Sequence, residues 1–107
     1  MRLFSRRPKR AERGREPSRR RAEIVAHFQD FATTRKGVEA YIEPPTANDP
    51  STLVLIAESG EWTRRRVPDA KAARTLANEL GIPVYDVNLT GYPASMRRWS
   101  AQQRHKI

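Results

Sequence analysis

The sequence predicts an α+β fold: a mixed four-stranded sheet, three antiparallel strands plus a β-α-β crossover, with flanking helices and a disordered basic N-terminal arm. Three observations predict it. Thr52 to Ala57 is a continuous apolar run of strand length, as expected of a central strand covered on both faces. Shorter segments on either side alternate in character and are bounded by Gly, Pro, Asn and Asp. Two stripes of helical period bracket the strands: Ile24, Phe28 and Phe31, then Ala73, Leu76, Ala77 and Leu80.

The elements follow in order. Residues 1–17 hold Pro8, Gly14 and Pro17, with Leu3 and Phe4 as the only large apolar side chains. Such a segment buries too little surface to offset its ordering entropy, so it reads as a disordered arm. Ser18 is the expected N-cap of a helix from about Arg19 to Ala32. Gly37 opens a strand over Val38 to Glu43. Val38, Ala40 and Ile42 line one face of it, and Glu39, Tyr41 and Glu43 the other. Pro44-Pro45 ends that strand, and residues 46–51 form a loop. After the apolar strand, Ser59-Gly60 reads as a tight hairpin turn and Glu61 to Val67 as the return strand. Asp69 caps a helix that Gly81 ends. Ile82-Pro83 leads into a strand, Val84 to Val87, and this strand-helix-strand order implies a right-handed crossover. Gly91-Tyr92-Pro93 forms a turn before a short helix carrying Met96 and Trp99. The expected division is an arm over 1–17, a single domain over 18–91, and a C-terminal helix and basic tail over 92–107.

Composition bounds the function classes. A chain of 107 residues supports one domain. It has no cysteine, which removes disulfides, thiolate metal sites and thiol catalysis together. No apolar run approaches the roughly 18 residues needed to span a bilayer. Arg6-Arg7 resembles a twin-arginine pair, but Pro8, Lys9 and Arg10 follow it instead of an apolar stretch, so no export signal is expected. These features fit a cytoplasmic protein without a membrane partner.

The net charge of +9 is unevenly placed. Residues 1–21 carry ten Lys/Arg against two Glu, a balance of +8. Residues 22–88 carry seven basic against ten acidic, −3, and residues 89–107 carry four basic and none acidic, +4. Arg outnumbers Lys by 17 to 4. Codon bias in a GC-rich genome accounts for that preference, but not for the crowding of ten cations into the first 21 residues.

Few patterns carry catalytic chemistry. Glu23, His27 and Asp30 stand at i, i+4, i+7, equally the spacing of a solvated helix face. Glu39 and Glu43 on one strand face are about 13–14 Å apart, too far for a two-carboxylate hydrolase, and read as an exposed face with a surface tyrosine. The five glycines are dispersed, with no phosphate loop, and no serine sits in a nucleophile elbow. No catalytic residue, cofactor or metal site is expected, and an enzyme is the third reading.

Two clusters favour binding. In Trp62-Thr63-Arg64-Arg65-Arg66, alternation aims Trp62, Arg64 and Arg66 one way and Thr63, Arg65 and Val67 the other. An aromatic in line with two arginines can stack a base and hold phosphates; an edge strand guarded by charge, with Trp62 as partial core, has the same pattern. Tyr92, Met96, Arg97, Arg98 and Trp99 could dock a partner, or pack back on the domain.

The stretches Gly60–Pro68, Leu80–Asp86 and Gly91-Tyr92-Pro93 with Met96-Arg97 resemble a group of short uncharacterised actinobacterial proteins. The likeness spans about residues 20–99. Some of that group carry a generic oxidoreductase label, but no established activity transfers. The resemblance implies a bacterial cytoplasmic setting.

The leading expectation is a non-catalytic accessory protein that binds RNA or DNA largely by electrostatic contacts. Arg6, Arg7, Lys9, Arg10, Arg19, Arg20 and Arg21 would act as a tether, and Trp62, Arg64 and Arg66 as the structured contact. The alternative is a protein-interaction module that docks an acidic partner through Tyr92, Met96, Arg97, Arg98 and Trp99.

Overall fold

The computed structural model describes residues 2–47 and 50–105, with side chains over 18–47 and 50–104. Eight elements follow in chain order. They are α1 (Arg2–Thr34), β1 (Glu39–Glu43), β2 (Thr52–Ile56), β3 (Trp62–Arg66), α2 (Ala70–Leu80), β4 (Val84–Asp86), α3 (Val87–Thr90) and α4 (Ala94–His105). The strands form one open sheet in the order β3-β2-β1-β4. β1 and β3 run antiparallel to β2, while β4 joins parallel to β1. The connection through α2 therefore carries the chain from one edge of the sheet to the other. This is the α+β architecture that the order of elements predicts.

The sheet separates two apolar layers. On one face Val38, Ala40, Ile42, Leu53, Leu55 and Val67 meet Phe28 and Phe31 of α1 and Ala73, Leu76 and Ala77 of α2. On the other face Tyr41, Val54 and Ile56 meet Met96 of α4, with Trp62 and Tyr92 packed beside them. β2 is covered on both sides, and Leu53, Val54 and Leu55 are fully buried. That double coverage explains why its sequence is a run and not an alternation.

Local signals set the ends of α2. The Asp69 carboxylate accepts from the Ala72 amide at 2.8 Å, and Gly81 adopts the left-handed conformation at φ 71°. Both were legible as capping residues.

The structure corrects several boundaries. The α1 backbone is helical from Arg2, so Ser18 does not cap it. Arg, Ala and Glu are good helix formers, and a helix closes its own hydrogen bonds without burying surface. The hairpin turn centres on Glu58-Ser59: the Gly60 amide donates to the Ala57 carbonyl at 2.8 Å. β4 ends at Asp86, whose carboxylate accepts from the Asn88 amide and starts the single turn of α3, so Val87 is helical. The face of Glu39, Tyr41 and Glu43 is not a solvated one. α4 shares its layer, and Tyr41 is only 6% exposed. α4 completes the second layer through Met96. Residues 48, 49, 106 and 107, in the expected loop and tail, lie outside the described residues.

Gly60 permits the close approach of α4. Its φ is +97°, and a Cβ there would overlap the Ser95 carbonyl oxygen and stand 2.8 Å from the Trp99 Cβ. Only glycine fits both the backbone and the space.

Candidate nucleic-acid interface

β3 is an edge strand whose last three residues, Arg64, Arg65 and Arg66, are exposed. The predicted alternation holds for Trp62 to Arg65 and for Val67, whereas Arg66, at the strand's end, borders the space between α1 and α2. Trp62 belongs to the layer beneath α4, and Val67 to the layer beneath α1 and α2.

On the α4 side, Trp62 and Arg64 come together as the spacing requires, with the guanidinium carbon 5.0 Å from the indole centroid. Both are engaged within the chain. The Trp62 Nε1–H donates to Ser100 Oγ at 3.1 Å. Arg64 donates from Nε to Glu43 Oε1 at 2.7 Å and from Nη2 to Glu43 Oε2 at 2.8 Å. Glu43 also accepts from the Thr52 hydroxyl at 2.5 Å and from the Tyr92 hydroxyl. Burial pushes the Glu43 carboxyl up, but the hydrogen bonds from Arg64, Thr52 and Tyr92 outweigh it and hold the group below its ordinary value. Burial, then the bond to Glu43, pushes the Tyr92 phenol up. Tyr41 donates to Glu39 at 3.2 Å; burial and the Glu39 charge push its phenol up to about 12.

The docking candidates divide. Met96 is buried and Tyr92 and Trp99 are half-buried, all turned to the sheet or its hairpin, while Arg97 and Arg98 are exposed. Packing back on the domain is the observed arrangement for the three apolar side chains.

On the α1 side, His27 lies over β3, half-buried. Its Nε2 is 2.6 Å from Thr63 Oγ1, and Arg65 Nη2 is 3.4 Å from its Nδ1. Burial, followed by the Arg65 charge, holds its pKa below the usual value. The i, i+4, i+7 set is broken up by this placement: His27 faces β3, whereas Glu23 and Asp30 are exposed. Among the described residues no three of His, Asp and Glu gather as a metal site.

The cations from the N-terminal segment meet others at one place. Arg19, Arg20 and Arg21 are exposed where α1 reaches the body. Arg21 is bound to Glu79 of α2 by two contacts of 3.0 and 3.1 Å. Between α1 and α2 lies an open groove of about 1200 Å³. Arg20, Arg21, Arg66 and Lys71 stand around it, with Asp69 as an acidic neighbour, and Ile24, Val67, Ala72 and Leu76 lie among its walls. Arg20 and Arg66 also hold contacts within the chain. The groove was not legible as a site, because Lys71 and Arg66 meet Arg20 only through the packing of α1 on α2. Arg6, Arg7, Lys9 and Arg10 are on the α1 backbone, and their side chains lie outside the described residues.

No family model, curated protein or solved structure matches the chain. Among the described residues no helix is long and apolar enough to cross a membrane.

Proposed function

We propose that the protein is a non-catalytic accessory factor that binds nucleic acid through its basic end. One observation carries the reading. The strongly cationic first 21 residues run into a groove that Arg66 and Lys71 of the otherwise acidic body also border. Several cations gathered at one place raise the local positive potential, which attracts a polyanion. Phosphate contacts from arginine forks and lysine give affinity with little dependence on sequence. Trp62 and Arg64 contribute indirectly, Trp62 by tying β3 to α4 and Arg64 by tying it to β1, so that Arg66 has a rigid support. The proposal takes a bacterial cytoplasmic setting.

The test is fluorescence anisotropy with a labelled RNA and a labelled DNA duplex across salt concentrations. The full chain binds one or both with a steep salt dependence. Replacing Arg6, Arg7, Lys9 and Arg10 by serine flattens that dependence. Equal, weak binding by the two proteins at low salt contradicts the reading.

A further inference from the structure

The groove has a property that charge alone does not require: its walls are largely apolar. Ile24 of α1, Pro68 after β3 and Ala72 of α2 present hydrocarbon between the cations, with the buried Val67 and Leu76 behind them. A duplex offers a convex, charged backbone to a protein and leaves such a wall unused. A single strand offers both a phosphate chain and base faces that are poorly hydrated once unstacked. The charge pattern selects the same occupant. Arg20, Arg66 and Lys71 border the groove from α1, the end of β3 and the start of α2, so a phosphate chain within it has cations on more than one side. Arg20 and Arg66 keep their contacts within the chain, and a guanidinium has five N–H donors to divide between partners. The N-terminus of α2 takes no part, because the Asp69 carboxylate already accepts from the Ala72 amide.

We infer that the groove between α1 and α2 is a single-strand site, in which one or more unpaired bases lie against Ile24, Pro68 and Ala72 while flanking phosphates meet Arg20, Arg66 and Lys71. The inference rests on the nucleic-acid reading above and adds the class of substrate. Aliphatic walls bury a base face without reading its edge, so the site discriminates single from double strands more than one sequence from another.

Three probes of equal length separate this inference from the reading beneath it: a 12-nucleotide oligothymidine, a 12-unit abasic strand with the same phosphates, and a 12-base-pair duplex. At one salt concentration the oligothymidine binds about tenfold tighter than the abasic strand, the order expected from burying about 50–60 Å² of apolar base surface on aliphatic side chains. Ala72→Gln keeps the charge and suits a helix, and it narrows that ratio while leaving the salt dependence unchanged. Backbone amide shifts of Val67, Ala72 and Leu76 move with the oligothymidine and not with the abasic strand, which provides a readout in the unmutated protein. Equal affinity for oligothymidine and abasic strand overturns the inference but leaves electrostatic binding standing. Salt-independent or absent binding of all three probes overturns both.

Discussion

Arg64 holds Glu43 with two parallel hydrogen bonds of 2.7 and 2.8 Å, joining the edge strand β3 to β1 across the intervening β2. The Glu43 side chain is only 13% exposed, while that of Arg64 is 41% exposed. The carboxylate is therefore the group with more to lose. Glu43→Gln should destabilise the protein by about 2 kcal/mol in urea unfolding at pH 7, typical of hydrogen bonds to a charged group. The sign with pH follows from its depressed pKa. The stabilisation is fully present above the carboxyl's unfolded pKa and is lost as pH falls through the lower folded one. The gap between wild type and variant should thus narrow towards acid, and a gap constant with pH contradicts this account.

Gly60 sets how closely α4 sits on the hairpin. Gly60→Ala meets both a φ of +97° and the Ser95 carbonyl oxygen, which belongs to backbone and cannot rotate aside. A loss of about 2–4 kcal/mol is expected, with a change in the fluorescence of Trp62 and Trp99 as α4 shifts. An alanine variant as stable as wild type would show that α4 is not held at this distance.

His27 should titrate below the ordinary histidine value in a proton NMR experiment. With Nδ1 facing the Arg65 guanidinium, the neutral ring places its N–H on Nε2 towards Thr63. Its surroundings are otherwise Asp30, which favours the proton, and Arg35, which disfavours it and is paired with Glu61 at 2.7 Å. A histidine with a lowered folded pKa stabilises the fold fully above its unfolded pKa and loses that contribution as pH falls towards the folded one. Arg65→Gln should raise the pKa and Asp30→Asn should lower it. Shifts in the opposite directions contradict the geometry.

Tyr41 should resist ionisation until about pH 12 in a spectrophotometric titration, and Glu39→Gln should bring it down by removing an adjacent negative charge. A normal phenol would mean that α4 leaves this face open to water.

Much of the fold was legible because its signals are local. Asp69 and Gly81 are capping residues whose roles depend on a few neighbours. The period of two in residues 62–65 assigns each side chain to its face whatever lies above it. The unpredicted parts depend on distance along the chain. Glu43 gains Arg64 from 21 residues away and Tyr92 from 49, and no spacing rule connects them. For the same reason Glu39, Tyr41 and Glu43 looked solvated: polar atoms that satisfy one another in a covered layer have the composition of an exposed face. α4 is the element that covers them, and its own stripe of Tyr92, Met96 and Trp99 was the available signal. The basic groove likewise exists only once α1 and α2 are packed. Charge placement along the sequence led to the expectation of a polyanion; what it did not reveal is that Trp62 and Arg64 are hydrogen-bonded to Ser100 and Glu43.

The most direct test of the central claim is the slope of log affinity against log salt for a single-stranded oligonucleotide, compared between wild type and an Arg66→Ser/Lys71→Ser double variant. Each phosphate contact on a single strand contributes about 0.7 to that slope, so two lost contacts should make it shallower by about 1.4 while the fold is retained. An identical slope and affinity in the two proteins would show that polyanions do not meet the body at the α1–α2 groove.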